Sequence, residues 1–324
     1  MLEYQKEIDS LCQKLSIETI KDVDYFPRYI EIESYDGCNI NCTMCPLGKD
    51  IYDGGGIIPM DLFDNIIDQI SPYSEWINLV CLSRNGEPLL NKNLHVMVRK
   101  LKNIGIKRVN FSTNATALTK KRSYELVESG LDEIRFSIDG YHKETLEKVR
   151  KGVIHEKLLA NVFNFIKIRN ESGLNKPQIQ IRFVEQEENK GEIELCRDFW
   201  LSKLEDYDLV ASKEMHSWGN ELDNFEGKVD SSVNHPCISP FSTLEILYDG
   251  TVPLCGCDYL PTVVLGNVNN NSIIDIWRSE RFKEIRNDHA NGKRNNIDIC
   301  AGCKIWDENI KTTYIGERPD SGPW

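Results

Sequence analysis

The chain has 324 residues, which is more than one core usually holds, so we expect a large domain with a smaller appendage. Its 28% charged and 40% hydrophobic residues exclude a disordered or fibrous protein. The 39 Lys and Arg residues against 51 Asp and Glu give a net charge of −12, which argues against nucleic acid or an anionic membrane as a partner. The polar N-terminus and the lack of a bilayer-length apolar run predict a cytoplasmic location.

Strand-like and helix-like segments alternate along the first two thirds of the chain. The predicted strands are Arg28–Tyr35, Trp76–Ser83, Lys107–Ser112, Glu133–Ile138, Gln178–Val184 and Tyr207–Ala211. The predicted helices are Met60–Ile70, Asn93–Ile104, Thr119–Ser129, Lys157–Ser172 and Glu192–Leu204. Repeated strand–helix units predict an α/β fold with a parallel sheet and right-handed crossovers. Six units favour a partial (β/α)6 barrel over a closed barrel of eight.

Polar and apolar residues alternate within these strands. In the fourth, Ile134 and Phe136 share one face, while Arg135 and Ser137 share the other. A strand buried on both faces is usually continuously apolar. We therefore expect the apolar faces to pack against helices and the polar faces to line a cavity for a polar ligand. The alternative is a sheet with one face in water.

The chain contains eleven cysteines, an unusual number for a protein without a secretion signal. Cys12, Cys81 and Cys196 are isolated, and we expect them to be small buried hydrophobic residues. The other eight fall into two groups, whose spacing suggests reduced thiols that bind metal.

The first group is Cys38, Cys42 and Cys45, directly after the first predicted strand. Loops at the carboxyl ends of parallel strands are where such folds place their sites. Three thiolates can hold a [4Fe–4S] cluster and leave its fourth iron open to another ligand. A zinc site would need a further ligand, and this loop contains no His.

The second group lies in the last quarter of the chain, around an Asp249-Gly250 pair that predicts a β-hairpin. A helix-like stretch follows near 273–286. The cysteines are Cys237, Cys255, Cys257, Cys300 and Cys303. Four thiolates from a hairpin and a later Cys-x2-Cys loop can bind either zinc or an iron–sulfur cluster.

The motif Cys-x3-Cys-x2-Cys after the first strand resembles the signature of radical S-adenosylmethionine (SAM) enzymes. The resemblance covers about residues 28–212. Met44 holds the position where that family often has a large apolar or aromatic residue near the adenine. The segment Gly86-Glu87-Pro88 resembles the family's Gly-Gly-Glu motif, which receives the methionine amino group, although Asn85 replaces the first glycine.

The same resemblance implies further cofactor contacts at the ends of later strands. Ser112 and Asn114 lie at the end of the third strand, and Ser137 and Asp139 at the end of the fourth, and both pairs resemble segments that contact the SAM ribose and carboxylate. Arg182 on the fifth strand is a candidate partner for the carboxylate. Each has a plainer explanation, since Ser and Asn are common in turns and Arg182 suits a structural ion pair.

Membership of this family implies a specific chemistry. The open iron chelates SAM, and one electron, from a donor such as flavodoxin or ferredoxin, cleaves the cofactor. The resulting 5′-deoxyadenosyl radical abstracts a hydrogen atom from the substrate. The protein positions the reactants and excludes side reactions.

The later cysteines resemble the SPASM/twitch extension of the same enzymes. The Leu-Gly-Asn-Val segment at 265–268 and Trp277 of this chain are part of that resemblance. No cysteine follows Cys303, as in the shorter twitch form with one auxiliary [4Fe–4S] cluster. The resemblance implies the ligands Cys237, Cys255, Cys300 and Cys303, in the branch of cyclitol dehydrogenases and sugar epimerases.

The roles of three residues in or before the second group have more than one interpretation. Cys257 is a spare thiol, a replacement for Cys255 as ligand, or a hydrogen-atom donor of the kind that radical epimerases use. His216 and Trp218 either line a substrate entrance or pack a linker.

We expect an N-terminal helical extension, a partial barrel, a linker, an auxiliary-cluster domain and a tail, at residues 1–27, 28–212, 213–236, 237–310 and 311–324. The main functional hypothesis is a radical SAM oxidoreductase or epimerase acting on a sugar, cyclitol or aminoglycoside. An alternative is a SPASM-type maturase that modifies peptides, against which the short segment before the first strand argues modestly. A third is a zinc-stabilised binding protein.

Overall fold

We analysed a computed structural model of the chain, which describes residues 4–49, 55–215, 218, 234–301, 303 and 312–315. Within these residues, no helix is both long and apolar enough to cross a membrane.

Most of the strands belong to one sheet, and short pairs of strands surround it. In chain order the strands are β1 Tyr29–Ile32, β2 Tyr35–Asp36, β3 Asn41–Cys42, β4 Gly56–Ile57, β5 Leu79–Cys81, β6 Val109–Thr113, β7 Glu133–Ser137, β8 Arg150–Lys151, β9 Gln178–Glu185, β10 Leu209–Glu214, β11 Thr243–Ile246, β12 Thr251–Pro253, β13 Val264–Asn267 and β14 Thr312–Ile315. The main sheet has the order β11-β1-β5-β6-β7-β9-β10-β14, in which only β14 runs antiparallel to its neighbour.

Helices connect the parallel strands of the main sheet, and further helices lie before β1 and after β13. They are α1 Gln5–Leu15, α2 Met60–Ile70, α3 Leu94–Asn103, α4 Lys120–Val127, α5 Lys143–Val149, α6 His155–Glu171, α7 Ile193–Leu201, α8 Ser239–Ser242, α9 Ile273–Trp277 and α10 Glu280–Ala290. Short 3₁₀ turns lie at Ile20–Asp24, Pro46–Lys49, Ser71–Tyr73, Pro88–Leu90, Glu187–Asn189, Arg294–Asn296 and Asp298–Cys300. The predicted α/β partial barrel is confirmed.

The alternation of the strands determines where the core lies. Ile134 and Phe136 of β7 are fully buried in the apolar layer between sheet and helices. Arg135 and Ser137, on the other face of the same strand, line an internal cavity. The isolated Cys12, Cys81 and Cys196 are buried, as expected.

The C-terminal region departs from the predicted hairpin. The run before Asp249-Gly250 forms β11, which joins the main sheet beside β1 and parallel to it. The run after the turn, β12, pairs instead with β13. Register aligns Glu31 with Glu245, so the auxiliary region contributes a strand to the barrel itself.

The predicted helix near 273–286 is two helices. The break falls at Arg278-Ser279, where the Ser279 hydroxyl accepts a hydrogen bond from the Phe282 amide at 3.3 Å and begins α10. The indole of Trp277 donates to the Val23 carbonyl at 2.7 Å, and Arg286 pairs with Asp24 at 3.0 Å. These contacts join the N-terminal extension to the C-terminal helices.

Candidate active site

A cavity of about 360 Å³ opens at the carboxyl end of the parallel strands. The three thiols of Cys38, Cys42 and Cys45 line one wall. The strands and the loops that follow them supply the rest of the lining, and most predicted cofactor residues are among it: Met44, Gly86, Glu87, Ser112, Asn114, Ser137, Asp139 and Arg182. Residues far apart in sequence therefore meet around one space.

Pro88 is the exception among the predicted cofactor residues. It is buried and begins the 3₁₀ turn Pro88–Leu90, where its fixed φ suits the first helical position. It shapes the loop without lining the cavity.

Gly86 holds the second loop against the cysteine loop. The Glu87 amide donates to the Gly37 carbonyl at 2.8 Å, one residue before Cys38. A Cβ on Gly86 would lie 2.2 Å from the Tyr35 carbonyl oxygen and 2.5 Å from that of Gly37. Only glycine allows this backbone approach, so the sequence motif serves to pack two loops together.

The Glu87 carboxylate is fully engaged by protein donors. It accepts from the Thr113 hydroxyl at 2.6 Å, the Asn114 amide at 2.7 Å and the Leu89 amide at 2.9 Å. Burial raises the pKa of Glu87, and these hydrogen bonds oppose that shift. The carboxylate therefore fixes the β5 and β6 loops relative to each other.

Hydrogen-bond donors point at the cysteine sulfurs. The Asn114 amide nitrogen lies 3.6 Å from Cys38 Sγ, and an Arg150 guanidinium nitrogen lies 3.6 Å from Cys42 Sγ. Arg150 is oriented by Asp139, at 2.6 Å. Burial raises the pKa of Cys42 to about 12, while Arg150 favours its thiolate. Three thiols facing one cavity, two of them with donors, fit the ligands of an anionic iron–sulfur cluster.

Trp218 lies at the rim of the cavity, where its indole donates to the Met44 carbonyl at 2.9 Å. It also packs edge-on against Tyr259, with 6.1 Å between the ring centroids. Among the predicted entrance residues, His216 lies outside the described residues.

Buried charges occupy the floor of the cavity. Arg84 lies 3.3 Å from Glu245, and the two side chains are almost completely buried. Burial raises the pKa of both Glu31 and Glu245, which face each other across the β1–β11 register. Two adjacent buried carboxylates cannot both ionise easily, which favours the protonated form of each.

Lys213, on β10, faces the cavity from the opposite side. Removal from water and the nearby Arg182 lower its pKa to about 8. Among the described residues, no carboxylate lies within ion-pair distance of its amine. The other charged groups there have protein partners, as Asp139 has Arg150.

The second group of cysteines surrounds a smaller cavity of about 30 Å³. All five thiols line it: Cys237, Cys255, Cys257, Cys300 and Cys303. Three buried polar side chains, Ser239, His289 and Arg294, also line it. Burial lowers the pKa of His289 to about 3, so its ring is neutral. Clustered thiols beside buried donors fit an iron–sulfur cluster here as well.

Cys257 lines both cavities. Arg84 holds its loop in place by donating to the Cys255 carbonyl at 3.2 Å and the Asp258 carbonyl at 2.8 Å. Asn85 donates to the Tyr259 carbonyl at 3.4 Å. The residues just before Gly86 therefore connect the two cysteine regions directly.

Sequence reasoning did not single out Glu31, Arg150, Lys213 or His289 as site residues. The alternation within the strands could have identified two of them. It places Glu31 on the polar face of β1. It also places Lys213 on the same face of β10 as Ala211, because β10 extends to Glu214. The sequence prediction ended that strand at Ala211. No local pattern identifies Arg150 or His289, because their partners are distant in sequence.

Comparison with known proteins agrees with this geometry. Residues 32–174 match the model of the radical SAM superfamily, and residues 237–304 match that of SPASM, an iron–sulfur cluster-binding domain. The second match makes iron–sulfur, rather than zinc, the metal centre of this region.

Individual relatives extend over nearly the whole chain. A tungsten-containing aldehyde ferredoxin oxidoreductase cofactor-modifying protein of Pyrococcus furiosus is 27% identical, over 89% of this chain and 91% of its own length. An S-adenosyl-L-methionine-dependent 2-deoxy-scyllo-inosamine dehydrogenase of Niallia circulans is 26% identical, over 85% and 91%. The crystal structure of BtrN in complex with AdoMet and 2-DOIA shares the fold, with a TM-score of 0.61 and 21% identity over 91% of this chain and 98% of that one.

Proposed function

The chain belongs to the radical SAM superfamily and carries a SPASM-type iron–sulfur domain, and from this premise we propose that it dehydrogenates an alcohol of a polar small molecule. A cyclitol, sugar or aminoglycoside fits the polar cavity and the relative that acts on 2-deoxy-scyllo-inosamine. The reductant is a small electron-transfer protein such as flavodoxin or ferredoxin.

The residues of the first cavity hold the SAM cofactor and its cluster. Cys38, Cys42 and Cys45 ligate the [4Fe–4S] cluster, and the Gly86-Glu87 loop receives the methionine amino group. Further contacts come from Met44, Ser112, Asn114, Ser137, Asp139 and Arg182, which line the same space. Asp139 acts mainly by orienting Arg150 toward Cys42.

The auxiliary [4Fe–4S] cluster is held by Cys237, Cys255, Cys300 and Cys303. When bound, the two clusters and SAM supply a 5′-deoxyadenosyl radical that removes the carbon-bound hydrogen and an acceptor for the remaining electron. The chain's own residues must then bind the alcohol and take up its hydroxyl proton.

The observation that carries the proposal is the position of Cys257 on both cavities. A substrate in the first cavity lies next to the auxiliary centre, with no intervening domain. Dehydrogenation needs such an adjacent electron acceptor, because one hydrogen atom, one electron and one proton must all leave the alcohol.

Lys213 is the proton acceptor in this proposal. Its amine faces the cavity, and a pKa of about 8 leaves part of the population neutral near physiological pH. The O–H proton would pass to this nitrogen, the C–H hydrogen to the radical and the remaining electron to the auxiliary cluster, which would leave a carbonyl.

Epimerisation is the second candidate, and one observation favours it. Cys257 is a buried thiol at the cavity wall, where it could return a hydrogen atom to the substrate carbon. The pKa of this thiol is raised by its hydrogen bond to Cys255 and by burial, so it stays protonated, as a hydrogen-atom donor must be.

The test uses anaerobically reconstituted enzyme with SAM, dithionite and 2-deoxy-scyllo-inosamine or related cyclitols in D₂O. We expect substrate-dependent 5′-deoxyadenosine and a product that has lost two hydrogens. A product of unchanged oxidation state that carries deuterium at carbon, and that disappears in Cys257→Ala, would establish epimerisation. If only peptides stimulate 5′-deoxyadenosine formation, the small-molecule proposal is wrong.

A further inference from the structure

The auxiliary cysteine cavity contains a histidine whose two ring nitrogens have different surroundings. His289 is completely buried on α10. Its Nδ1 accepts a hydrogen bond from the Cys237 amide at 3.1 Å. A ring nitrogen that accepts an N–H carries no proton itself, so the proton of the neutral ring is on Nε2.

Among the residues that the structure describes, that Nε2–H group has no partner. Within the described residues, no acceptor lies within hydrogen-bond distance, although the atom is fully buried. A buried donor without a partner loses its hydrogen bonds to water and gains none in return, which destabilises the folded protein. His289 lines the cavity between the five thiols, so an acceptor bound there would satisfy it.

Arg294 provides an independent indication of what this acceptor is. Its guanidinium is 2% exposed and lines the same cavity. It donates to the carbonyls of His235, at 3.0 Å, and Cys303. Its Nε has no partner, and no carboxylate of the described residues pairs with it. A buried cation without a counter-ion favours an anionic group, and a cluster held by four thiolates is anionic.

We propose that His289 donates an Nε2–H hydrogen bond to a sulfur of the auxiliary cluster and thereby sets its reduction potential. The proposal rests on the auxiliary cluster of the proposed function. Hydrogen bonds to cluster sulfurs stabilise the more negative, reduced state and so raise the potential. His289 is a positioning residue, which makes the cluster a better acceptor for the substrate's electron.

Two variants separate the roles of the two ring nitrogens. His289→Asn keeps an acceptor near the Cys237 amide and loses the distal donor, whereas His289→Gln keeps a distal N–H. In redox titrations followed by electron paramagnetic resonance, we expect a lower auxiliary midpoint potential in His289→Asn and a value near wild type in His289→Gln. The SAM-binding cluster serves as the internal reference and should not shift.

A second measurement needs no variant. Chain labelled with ¹⁵N-histidine should show a weak ¹⁵N coupling to the reduced auxiliary cluster in electron–nuclear double resonance. Absence of this coupling, or a strong coupling typical of a direct ligand, would overturn the proposal. An unchanged potential in His289→Asn with both clusters intact would also overturn it while leaving the proposed function standing. Zinc in place of the auxiliary iron would overturn both.

Discussion

The two cysteine regions both line a cavity with thiols, but the cavities differ in size and accessibility. The first places three thiols on the wall of a cavity of about 360 Å³, with Cys38 exposed to it. The second encloses five thiols around about 30 Å³, between α10 and the loop after β12. One region must admit cofactor and substrate, whereas the other only has to hold a cluster and exchange electrons.

The polar groups around the sulfurs differ accordingly. In the first region the donors are Asn114, directly after β6, and Arg150, the first residue of β8, and both are held by further side chains. In the second, His289 and Arg294 are buried in the cavity wall, and each has a nitrogen without a hydrogen-bond partner among the described residues. The polar groups of the first region are therefore held by the protein before a ligand binds. Those of the second region gain their remaining hydrogen-bond partners only when a ligand is bound.

We expect the largest effect when one cysteine ligand is removed from each region, because the two losses of iron can be measured separately. Cys42→Ala and Cys300→Ala should each remove one cluster, about half of the roughly eight iron atoms expected per chain. Cys42→Ala should abolish all SAM cleavage, whereas Cys300→Ala should retain cleavage and lose substrate oxidation. Iron and sulfide analysis with chromatography of 5′-deoxyadenosine measures both. Loss of both clusters in either variant would show that the regions do not function separately.

We expect a smaller effect on the rate of substrate oxidation from a change at Lys213, which lines the first cavity. If Lys213 accepts the hydroxyl proton, substrate oxidation should rise with pH and level off above about 8, because only the neutral amine accepts a proton. Lys213→Arg stays protonated and should oxidise substrate roughly 10²–10⁴-fold more slowly, without that rise. SAM cleavage without substrate is the control. An unchanged pH profile in Lys213→Arg would remove this role.

The smallest effect concerns the loop contact that shapes the open site. Gly86→Ala introduces a Cβ 2.2 Å from the Tyr35 carbonyl and must displace the cysteine loop. We expect SAM affinity to fall by about 100-fold, with the auxiliary cluster unaffected. Gly55→Ala is the matched control, since its Cβ would be 3.7 Å from the nearest atom. Equal SAM affinity in both variants, measured by equilibrium binding, would contradict the packing role of Gly86.

Much of this organisation could be predicted because it is encoded over short stretches. The Cys-x3-Cys-x2-Cys spacing and the alternation in β7 each depend on fewer than ten neighbouring residues. The sheet and its polar interior follow from that alternation, and the predicted helix α2 agrees at both ends. The linker and the tail beyond Ile315 remain predictions, since 219–233 and 316–324 lie outside the described residues.

What the sequence alone determined was the excess of cysteines, their division into two groups and the parallel α/β framework that carries them. The tertiary structure decided how the groups face each other. It placed Cys257 between the cavities, inserted β11 beside β1 and turned His289 toward the second group. These arrangements join residues 52 to more than 170 positions apart, as in the contacts His289–Cys237 and Arg84–Cys255. Local propensity carries no information about such pairs, because packing of the completed fold selects them.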